Sequence, residues 1–248
     1  MGAPPSAAYG DVAFRASDGL RIKGWYRPSE NGAAVVLVHG GGSDRTGSVS
    51  HAKMLARHGY GVLVYDARGR GESEGGPNGY GWDWAKDVDG ALGFLKARDD
   101  VEPDRIGAFG LSTGADVLIE VAARRTDLHA VVADGAAAGS FADWRRLQGV
   151  NAMTPFFWAQ FTGLRVFSGD APGPPLEDLV PRITSPLLLI SADEHEERDF
   201  NVLYDQAGGR RVEHWNVPDA HHTAAIRDSA EKYEGRVVAF FDRSLDRN

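Results

Sequence analysis

The chain has 248 residues, enough for one large α/β domain or two small ones. Hydrophobic residues make up 42% of it and charged residues 25%, so it can bury a sizeable core and is not globally disordered. The net charge of −8 without a long basic run argues against a nucleic-acid partner. The absence of cysteine excludes disulfide frameworks, thiolate metal sites and cysteine nucleophiles.

Eight short apolar runs predict strands, and five longer amphipathic stretches between and after them predict helices. The first two runs alternate apolar and polar residues around the turn signal Asp18-Gly19, whereas the later ones are continuously apolar, as buried strands are. The predicted strands are 12–16, 20–26, 34–39, 62–66, 106–110, 130–134, 187–191 and 212–217. The predicted helices are 48–57, 82–97, 113–124, 197–207 and 230–245. This alternation predicts an α/β fold with a mostly parallel eight-stranded sheet flanked by helices.

One stretch, at about residues 135–185, is far longer than an ordinary crossover between two strands. We interpret it as a small helical cap inserted into a single domain that spans residues 1–248. The stretch is rich in large aromatic residues, namely Phe141, Trp144, Phe156, Phe157, Trp158, Phe161 and Phe167. They suit an apolar substrate pocket, the packing of the cap on the body, or an exposed interface for lipid or a second subunit.

No segment predicts a membrane span. The longest apolar runs, Ala33–Val38 and Pro186–Ile190, have the length of strands, whereas a spanning helix needs roughly 20 residues. The opening residues 1–6 lack the basic start and apolar core of a signal peptide. We therefore expect a cytoplasmic protein, and the sequence leaves open an N-terminal leader or anchor that processing has removed.

The strongest chemical signal is Gly110-Leu111-Ser112-Thr113-Gly114, which follows a buried strand and opens a helix. A serine on such a sharp turn presents its hydroxyl away from the backbone, and glycines let the turn close. The start of the following helix favours a developing negative charge. The pattern therefore predicts Ser112 as a nucleophile rather than as a simple helix cap.

A second glycine motif, His39-Gly40-Gly41-Gly42, ends the strand predicted at 34–39. Acyl transfer needs two backbone N–H donors for the oxygen that becomes negative. The Gly41 N–H and the N–H of Thr113 are the candidates for this oxyanion hole. We expect His39 to shape the loop rather than to titrate in catalysis.

A serine nucleophile also needs an imidazole that takes its proton. Most histidines lie on predicted helices or strands, whereas His221 and His222 lie in a loop after the last strand. That loop returns to the carboxyl edge of the sheet, where Ser112 also lies. We favour His222 over His221 as the base.

The histidine needs a carboxylate partner, and the order serine, acid, histidine points to the loop after the strand at 187–191. That loop carries several acids in a row. Glu196 is the first choice, Asp193 the second and Glu197 the third, and Asp134 at the end of the preceding strand is a separate candidate. His195 and the acids beside it lack the second histidine of a zinc-binding H-E-x-x-H motif.

These motifs together resemble the α/β-hydrolase family over nearly the whole chain. The resemblance rests on the two glycine motifs, on residues 218–223 around His222, and on residues 65–73. In that last segment Asp66 and Arg68 would tie down a turn beside the site, and the alternative is that Arg68 binds a substrate carboxylate. The chain is most similar to bacterial esterase-like proteins with a short cap, including those described as acylaminoacyl peptidase-like or dienelactone hydrolase-like.

The resemblance implies a serine hydrolase with a catalytic triad, without a cofactor or a metal ion. The main prediction is a carboxylesterase that cleaves small to medium acyl esters through an acyl-serine intermediate. The alternatives are an aminopeptidase or amidase of the same fold and a non-catalytic binding protein on a hydrolase scaffold. The expected partner is a small-molecule ester, and the sequence leaves open whether the chain forms a homo-oligomer.

Overall fold

The structure is a computed structural model that describes residues 3–76, 80–194 and 196–246. Within these ranges the chain forms one sheet of eight strands. The strands are β1 (Gly10–Arg15), β2 (Arg21–Arg27), β3 (Ala34–Val38), β4 (Gly61–Tyr65), β5 (Ile106–Leu111), β6 (Ala130–Asp134), β7 (Leu187–Ala192) and β8 (Val212–Val217). Every predicted strand is present, with ends that differ by at most two residues.

The strands lie in the order β1-β2-β4-β3-β5-β6-β7-β8. The pairs β1–β2 and β2–β4 are antiparallel, and all later pairs are parallel. Val38 at the end of β3 pairs with Gly110, and Ala192 at the end of β7 pairs with Val217. This register confirms the predicted fold class and brings the loops after β3, β5, β7 and β8 to one edge of the sheet.

Helices cover both faces of the sheet. They are α1 (Val49–Arg57), α2 (Ala85–Lys96), α3 (Thr113–Ala122), α4 (Phe141–Gln148), α5 (Thr154–Ser168), α6 (Leu176–Leu179), α7 (Glu197–Gly208), α8 (Ala225–Asp228) and α9 (Ala230–Leu245). The helix predicted at 82–97 begins later, at Ala85, because Asp83 has a φ of 71°, which a right-handed helix does not accommodate. Within the described ranges no helix is both long enough and apolar enough to cross a bilayer.

The core divides into two apolar layers, one on each face of the sheet. Side chains of successive strand residues point to opposite faces, so Val36 belongs to the layer under α2 and α3, and Val35 belongs to the layer under α1 and α9. All five residues of β3 are buried. Both faces of the central strands are therefore covered, and the edge that carries the strand ends holds the loops of the site.

Between β6 and β7 the chain forms the three helices α4, α5 and α6, which we call the cap. Ser140 caps α4 by accepting a hydrogen bond from the backbone N–H of Asp143. Helix α5 has Pro155 in its first turn and ends at Gly169, whose φ of 77° is left-handed. The cap lies at the same edge of the sheet as the loops that carry the candidate catalytic residues, and it lines the pocket described below.

Candidate active site

Ser112 lies on a strained turn between β5 and α3. Its φ of 52° is left-handed, which is uncommon for a residue with a side chain. The turn closes tightly, since a Cβ at Gly110 would lie 2.3 Å from the backbone oxygen of Gly114. The backbone N–H of Ser112 donates to the Asp134 carbonyl oxygen over 2.8 Å, which ties the turn to the end of β6.

His222 reaches Ser112 from the loop after β8. Its Nε2 lies 2.9 Å from the Ser112 Oγ, a distance suited to a hydrogen bond in which the hydroxyl donates. The backbone N–H of His222 donates to the Glu194 side chain over 3.0 Å. The structure therefore places His222, and not His221, beside the serine, as the sequence predicts.

The carboxylate beside His222 belongs to Glu197, the third candidate from the sequence. Its Oε2 lies 2.5 Å from His222 Nδ1, and its Oε1 accepts the backbone N–H of Ala192 over 2.7 Å. Only 3% of the Glu197 side chain is exposed. A buried carboxylate on Nδ1 keeps the proton there and leaves Nε2 free to accept a proton from Ser112.

The first choice, Glu196, is wrong as the partner of His222. Its φ of 64° places it at the left-handed turn that precedes α7, and its exposed side chain lines the cavity beside Ser112 that is described below. Glu197 is the first residue of α7, and its carboxylate is buried beside β7. The second choice, Asp193, instead accepts hydrogen bonds from Asn216 and Arg198.

Asp134, the separate candidate, belongs to a different buried group of polar side chains. It accepts a hydrogen bond of 2.5 Å from the Tyr233 hydroxyl, whose oxygen lies 3.1 Å from His51 Nε2. Burial raises the pKa of Asp134 to about 7 and lowers that of His51 to about 3. Asp134 therefore supports the turn through its backbone and is bonded to Tyr233 rather than to His222.

The pKa of His222 is raised above its ordinary value of 6.5. The main cause is the hydrogen bond that His222 Nδ1–H donates to the Glu197 carboxylate, and partial desolvation opposes this effect. A hydrogen-bonded carboxylate favours the protonated imidazole, as a base that must hold a proton during the reaction requires.

The glycine loop after β3 lies directly against the serine. A Cβ at Gly40 would be 3.4 Å from the Cβ of Ser112, and Gly41 beside it is buried. Thr113 is the first residue of α3, so its backbone N–H has no acceptor within the helix. Gly41 and Thr113 therefore stay the candidate donors of an oxyanion hole.

His39 has the structural role that the sequence analysis expects. Its ring is fully buried, with Nδ1 2.8 Å from the Gly40 carbonyl and Nε2 accepting the Ala67 N–H over 3.0 Å. These two bonds fix the tautomer with the proton on Nδ1, and burial lowers the pKa of the ring. His39 thus holds the glycine loop as a neutral side chain.

The segment after β4 is held by buried ion pairs. Arg68 is only 6% exposed, and its guanidinium bonds to Asp87 and Asp18 over distances of 2.8 to 3.1 Å. The Asp66 side chain accepts the backbone N–H groups of Arg45 and Glu72. Arg68 therefore fixes a turn, and its guanidinium is already occupied by two carboxylates, which argues against a role in binding a substrate carboxylate.

Other histidines have partners away from the serine. His221 bonds to Glu194, His214 to Ser191 and His58 to Glu234. His195 lies outside the described residues. Among the described residues, no group of three or more His, Asp or Glu side chains is arranged to hold a metal ion.

A cavity of about 590 Å³ opens beside Ser112, under the cap. This volume lies within the usual range for small-molecule sites. Aromatic side chains from α4 and α5 form its walls, with Trp144 and Phe157 stacked at 4.4 Å between ring centroids. Two acids, Asp116 and Glu196, also line it. Burial raises the pKa of Asp116 well above its ordinary value.

Three residues that contribute to this site were missed in the sequence. Gly135 contacts the His222 ring, Glu194 binds the backbone of the histidine loop, and Asp116 lines the cavity while its Oδ1 accepts the Ala137 N–H. The position of Asp116 four residues after Ser112, on the same helix face, was the one signal that the sequence offered.

Comparison with known proteins identifies the family. Residues 29–169 match the sequence model of a family described as serine aminopeptidase, S33. The chain belongs to this family of α/β hydrolases. The matched segment includes both glycine motifs and Ser112, whereas Glu197 and His222 follow it.

Three relatives illustrate the range of the similarity. An uncharacterized protein, YfhR, of Escherichia coli K12 is 31% identical over 95% of this chain and 81% of its own length. An uncharacterized protein of Mycobacterium tuberculosis H37Rv is 37% identical, but the match covers 46% of this chain and only 41% of that protein. The solved structure of the Pyrococcus furiosus esterase Pf2001 superposes with a TM-score of 0.79 at 25% identity, over 96% of this chain and 92% of the other.

Proposed function

We propose that this protein is a carboxylesterase that cleaves small to medium acyl esters through a covalent acyl-serine intermediate. One observation carries the proposal: Ser112, His222 and Glu197 form a continuous hydrogen-bonded chain beside an apolar cavity. The arrangement has the geometry of a nucleophile, a base and an orienting acid. We further propose that the protein is cytoplasmic, as the sequence analysis expects.

In the first half of the reaction, the Ser112 oxygen attacks the ester carbonyl carbon. The serine proton moves to His222 Nε2, and Glu197 stabilises the imidazolium through Nδ1–H. The carbonyl oxygen becomes negative and accepts hydrogen bonds from the N–H groups of Gly41 and Thr113. The bond to the alcohol then breaks, and His222 returns its proton to the leaving oxygen.

In the second half, water hydrolyses the acyl-serine. His222 takes a proton from the attacking water, and the same two N–H groups stabilise the second tetrahedral intermediate. The Ser112 oxygen leaves and recovers its proton from His222. About 40% of the His222 side chain is exposed, which supports access of this water to the imidazole.

The pocket supports an ester with an apolar acyl or alcohol group. Its walls carry Trp144, Phe157, Phe161 and Phe200. Such walls gain free energy by removing apolar substrate surface from water, and they offer little to the polar backbone of a peptide. The cavity volume of about 590 Å³ supports a preference for small to medium groups.

The alternative is an aminopeptidase or amidase. The family description and the two acids that line the cavity, Asp116 and Glu196, support this alternative. A carboxylate such as that of Glu196 would attract a substrate ammonium group. Amide cleavage also demands efficient protonation of a poor leaving group. We rank it second because most of the other residues that line the cavity are apolar, with Trp144, Phe157 and Phe161 among them.

The test is hydrolysis of p-nitrophenyl esters of increasing acyl length beside the matching p-nitroanilides, with Ser112→Ala as the control. We expect ester turnover that the variant loses, and inert anilides. Faster cleavage of aminoacyl anilides than of esters would support the alternative. A wild-type Ser112 that a fluorophosphonate does not label would contradict both and favour a non-catalytic scaffold.

A further inference from the structure

The cap exposes large apolar side chains at an unusual density. Seven large hydrophobic residues of the described chain are strongly exposed, and six of them lie in or next to α5, the seventh being Val202 on α7. The six are between 49% and 83% exposed, and they are Val150, Met153, Phe156, Trp158, Val166 and Phe167. Exposed apolar residues that are clustered in this way mark an interaction surface rather than ordinary surface scatter.

Helix α5 fully buries few of its side chains. Of its 15 residues only Phe161 is buried, whereas α9 buries six residues of 16. Helices in proteins gain most of their stability from packing an apolar face. An apolar helix that buries one side chain lacks a packing partner on its outer side.

The outer face of α5 consists of Phe156, Ala159, Gly163, Val166 and Phe167, which follow one another at helical spacing. All five are exposed. A Cβ at Gly163 would meet nothing within 4 Å. Ala159 and Gly163 lie one turn apart and form a shallow groove between the aromatic residues. Small residues at this spacing let the backbone of a second helix approach closely.

The charge around this face argues against a lipid surface. Between residues 149 and 169 the chain carries one charged side chain, Arg165. Helices that lie on membranes usually have a polar face rich in Lys and Arg. With a net charge of −8, the chain has no long-range attraction to anionic lipids.

The size of the exposed surface suits a second protein chain. Weighted by their exposure, Phe156 and Phe167 together with Val166 offer roughly 300–500 Å² on this face. This is about half of the ~800 Å² that each partner buries in a stable complex. An uncharged, apolar helix face can pack against the same face of a second copy, as a twofold contact requires.

We propose that the outer face of α5 packs against the same face of a second copy of this chain, forming a symmetric dimer through the caps. The two helices cross where Ala159 and Gly163 let their backbones approach. Phe156 and Phe167 of each copy then cover the groove from its sides.

The proposed dimer has a consequence for the pocket. The inner side of α5 supplies Phe157 and Phe161 to the cavity walls, and Met153 just before the helix also lines the cavity. Pairing on the outer side would hold this wall in place. This consequence rests on the proposed function, whereas the pairing itself does not.

The absence of cysteine makes a direct test of the contact straightforward. We would compare Gly163→Cys with Gly235→Cys, because both glycines are exposed on helices and neither has an atom within 4 Å of an added Cβ. Under mild oxidation we expect a disulfide-linked dimer from Gly163→Cys only. Equal cross-linking of both variants, or none in Gly163→Cys, would overturn the twofold contact at Gly163.

The second test is sedimentation of the wild type across a dilution series, beside Val166→Asp and Val202→Asp. We expect a dimer that Val166→Asp dissociates at least tenfold more readily and that Val202→Asp leaves intact. A monomer at every concentration, or a dimer that is insensitive to Val166→Asp, would overturn the proposal. A monomer that binds phosphatidylcholine vesicles would assign the surface to lipid instead. Fluorophosphonate labelling of Ser112 reports separately on the proposed activity.

Discussion

Gly135, directly after β6, lies against the ring of His222. Its φ of 78° is left-handed, and a Cβ at this position would be 2.8 Å from the Cε1 of the His222 ring. Cβ contacts this close do not occur in proteins, so any larger residue would displace the imidazole or the backbone. The end of β6 thus limits where the histidine ring can lie.

Gly135→Ala should lower kcat by about 10²-fold, because a displacement of about 1 Å at a reacting group has this order of effect. The measurement is ester turnover with circular dichroism to confirm folding. Gly93→Ala is the matched control, since Gly93 lies in α2 with no atom near an added Cβ. Unchanged turnover in Gly135→Ala would show that the added Cβ does not displace the His222 ring from its position beside Ser112.

The two adjacent glutamates should differ sharply in their effect on catalysis. Glu197→Gln removes the charge beside His222 Nδ1, and loss of the triad acid's charge costs roughly 10⁴-fold in kcat elsewhere. Glu196→Gln changes a pocket residue that does not touch the histidine, so kcat for a neutral ester should stay within about threefold. Equal losses in steady-state assays would contradict the assignment of Glu197.

The pH dependence should follow the raised pKa of His222. The neutral imidazole is the active base, so kcat/KM should fall as the pH drops through a pKa above the ordinary 6.5. Because the bond to Glu197 is the main cause of the shift, the midpoint of the residual activity of Glu197→Gln should move to lower pH. A rate independent of pH across the neutral range would argue against a histidine base.

Asp134 should make stability depend on pH. Its pKa is about 7 in the folded protein and 3.8 ordinarily, so between these values the folded state binds more protons than the unfolded chain. Stability therefore falls as the pH rises through this window. Asp134→Asn keeps an oxygen for Tyr233 and cannot ionise, so its Tm relative to wild type should rise from about pH 5 to about pH 8.

Thermal unfolding at several pH values checks this prediction. Asp199→Asn provides the control, since the Asp199 side chain is 57% exposed. A Tm difference for Asp134→Asn that stays constant with pH would show that the buried carboxyl group does not titrate between its folded and unfolded values.

The charge of the substrate should affect the kcat/KM with which it is cleaved. The described residues that line it include Asp116 and Glu196 and no Lys, Arg or His. An acyl chain that ends in a carboxylate should therefore be cleaved less well than a neutral chain of equal length. A repulsion of about 1 kcal/mol corresponds to roughly fivefold in kcat/KM.

The comparison is p-nitrophenyl valerate against the p-nitrophenyl monoester of glutaric acid, in wild type and in Glu196→Gln. The difference in kcat/KM between the two esters should be smaller in Glu196→Gln than in the wild type. Added salt should reduce the same difference in the wild type. If the wild type cleaves both esters with equal kcat/KM, the acyl group lies away from Glu196.

Several features followed directly from local sequence patterns. Alternating runs predicted β1 and β2, and mostly apolar runs predicted the later strands, because a strand covered on both faces has few polar positions. The Gly-x-Ser-x-Gly motif between β5 and α3 predicted the turn at Ser112. His222 was predictable because loops after parallel strands meet at one edge of the sheet.

The tertiary structure determined which way each side chain points, and this does not follow from how close two residues are in the chain. Glu196 and Glu197 are neighbours, and the left-handed φ at Glu196 turned one side chain to the pocket and the other to His222. The Arg68 guanidinium donates hydrogen bonds to Asp18 and Asp87, which lie far from it in the chain. The contact of Gly135 with His222 joins residues on separate loops. Hydrophobic periodicity determines which segments become strands and helices, but the path of the folded backbone determines which side chains meet.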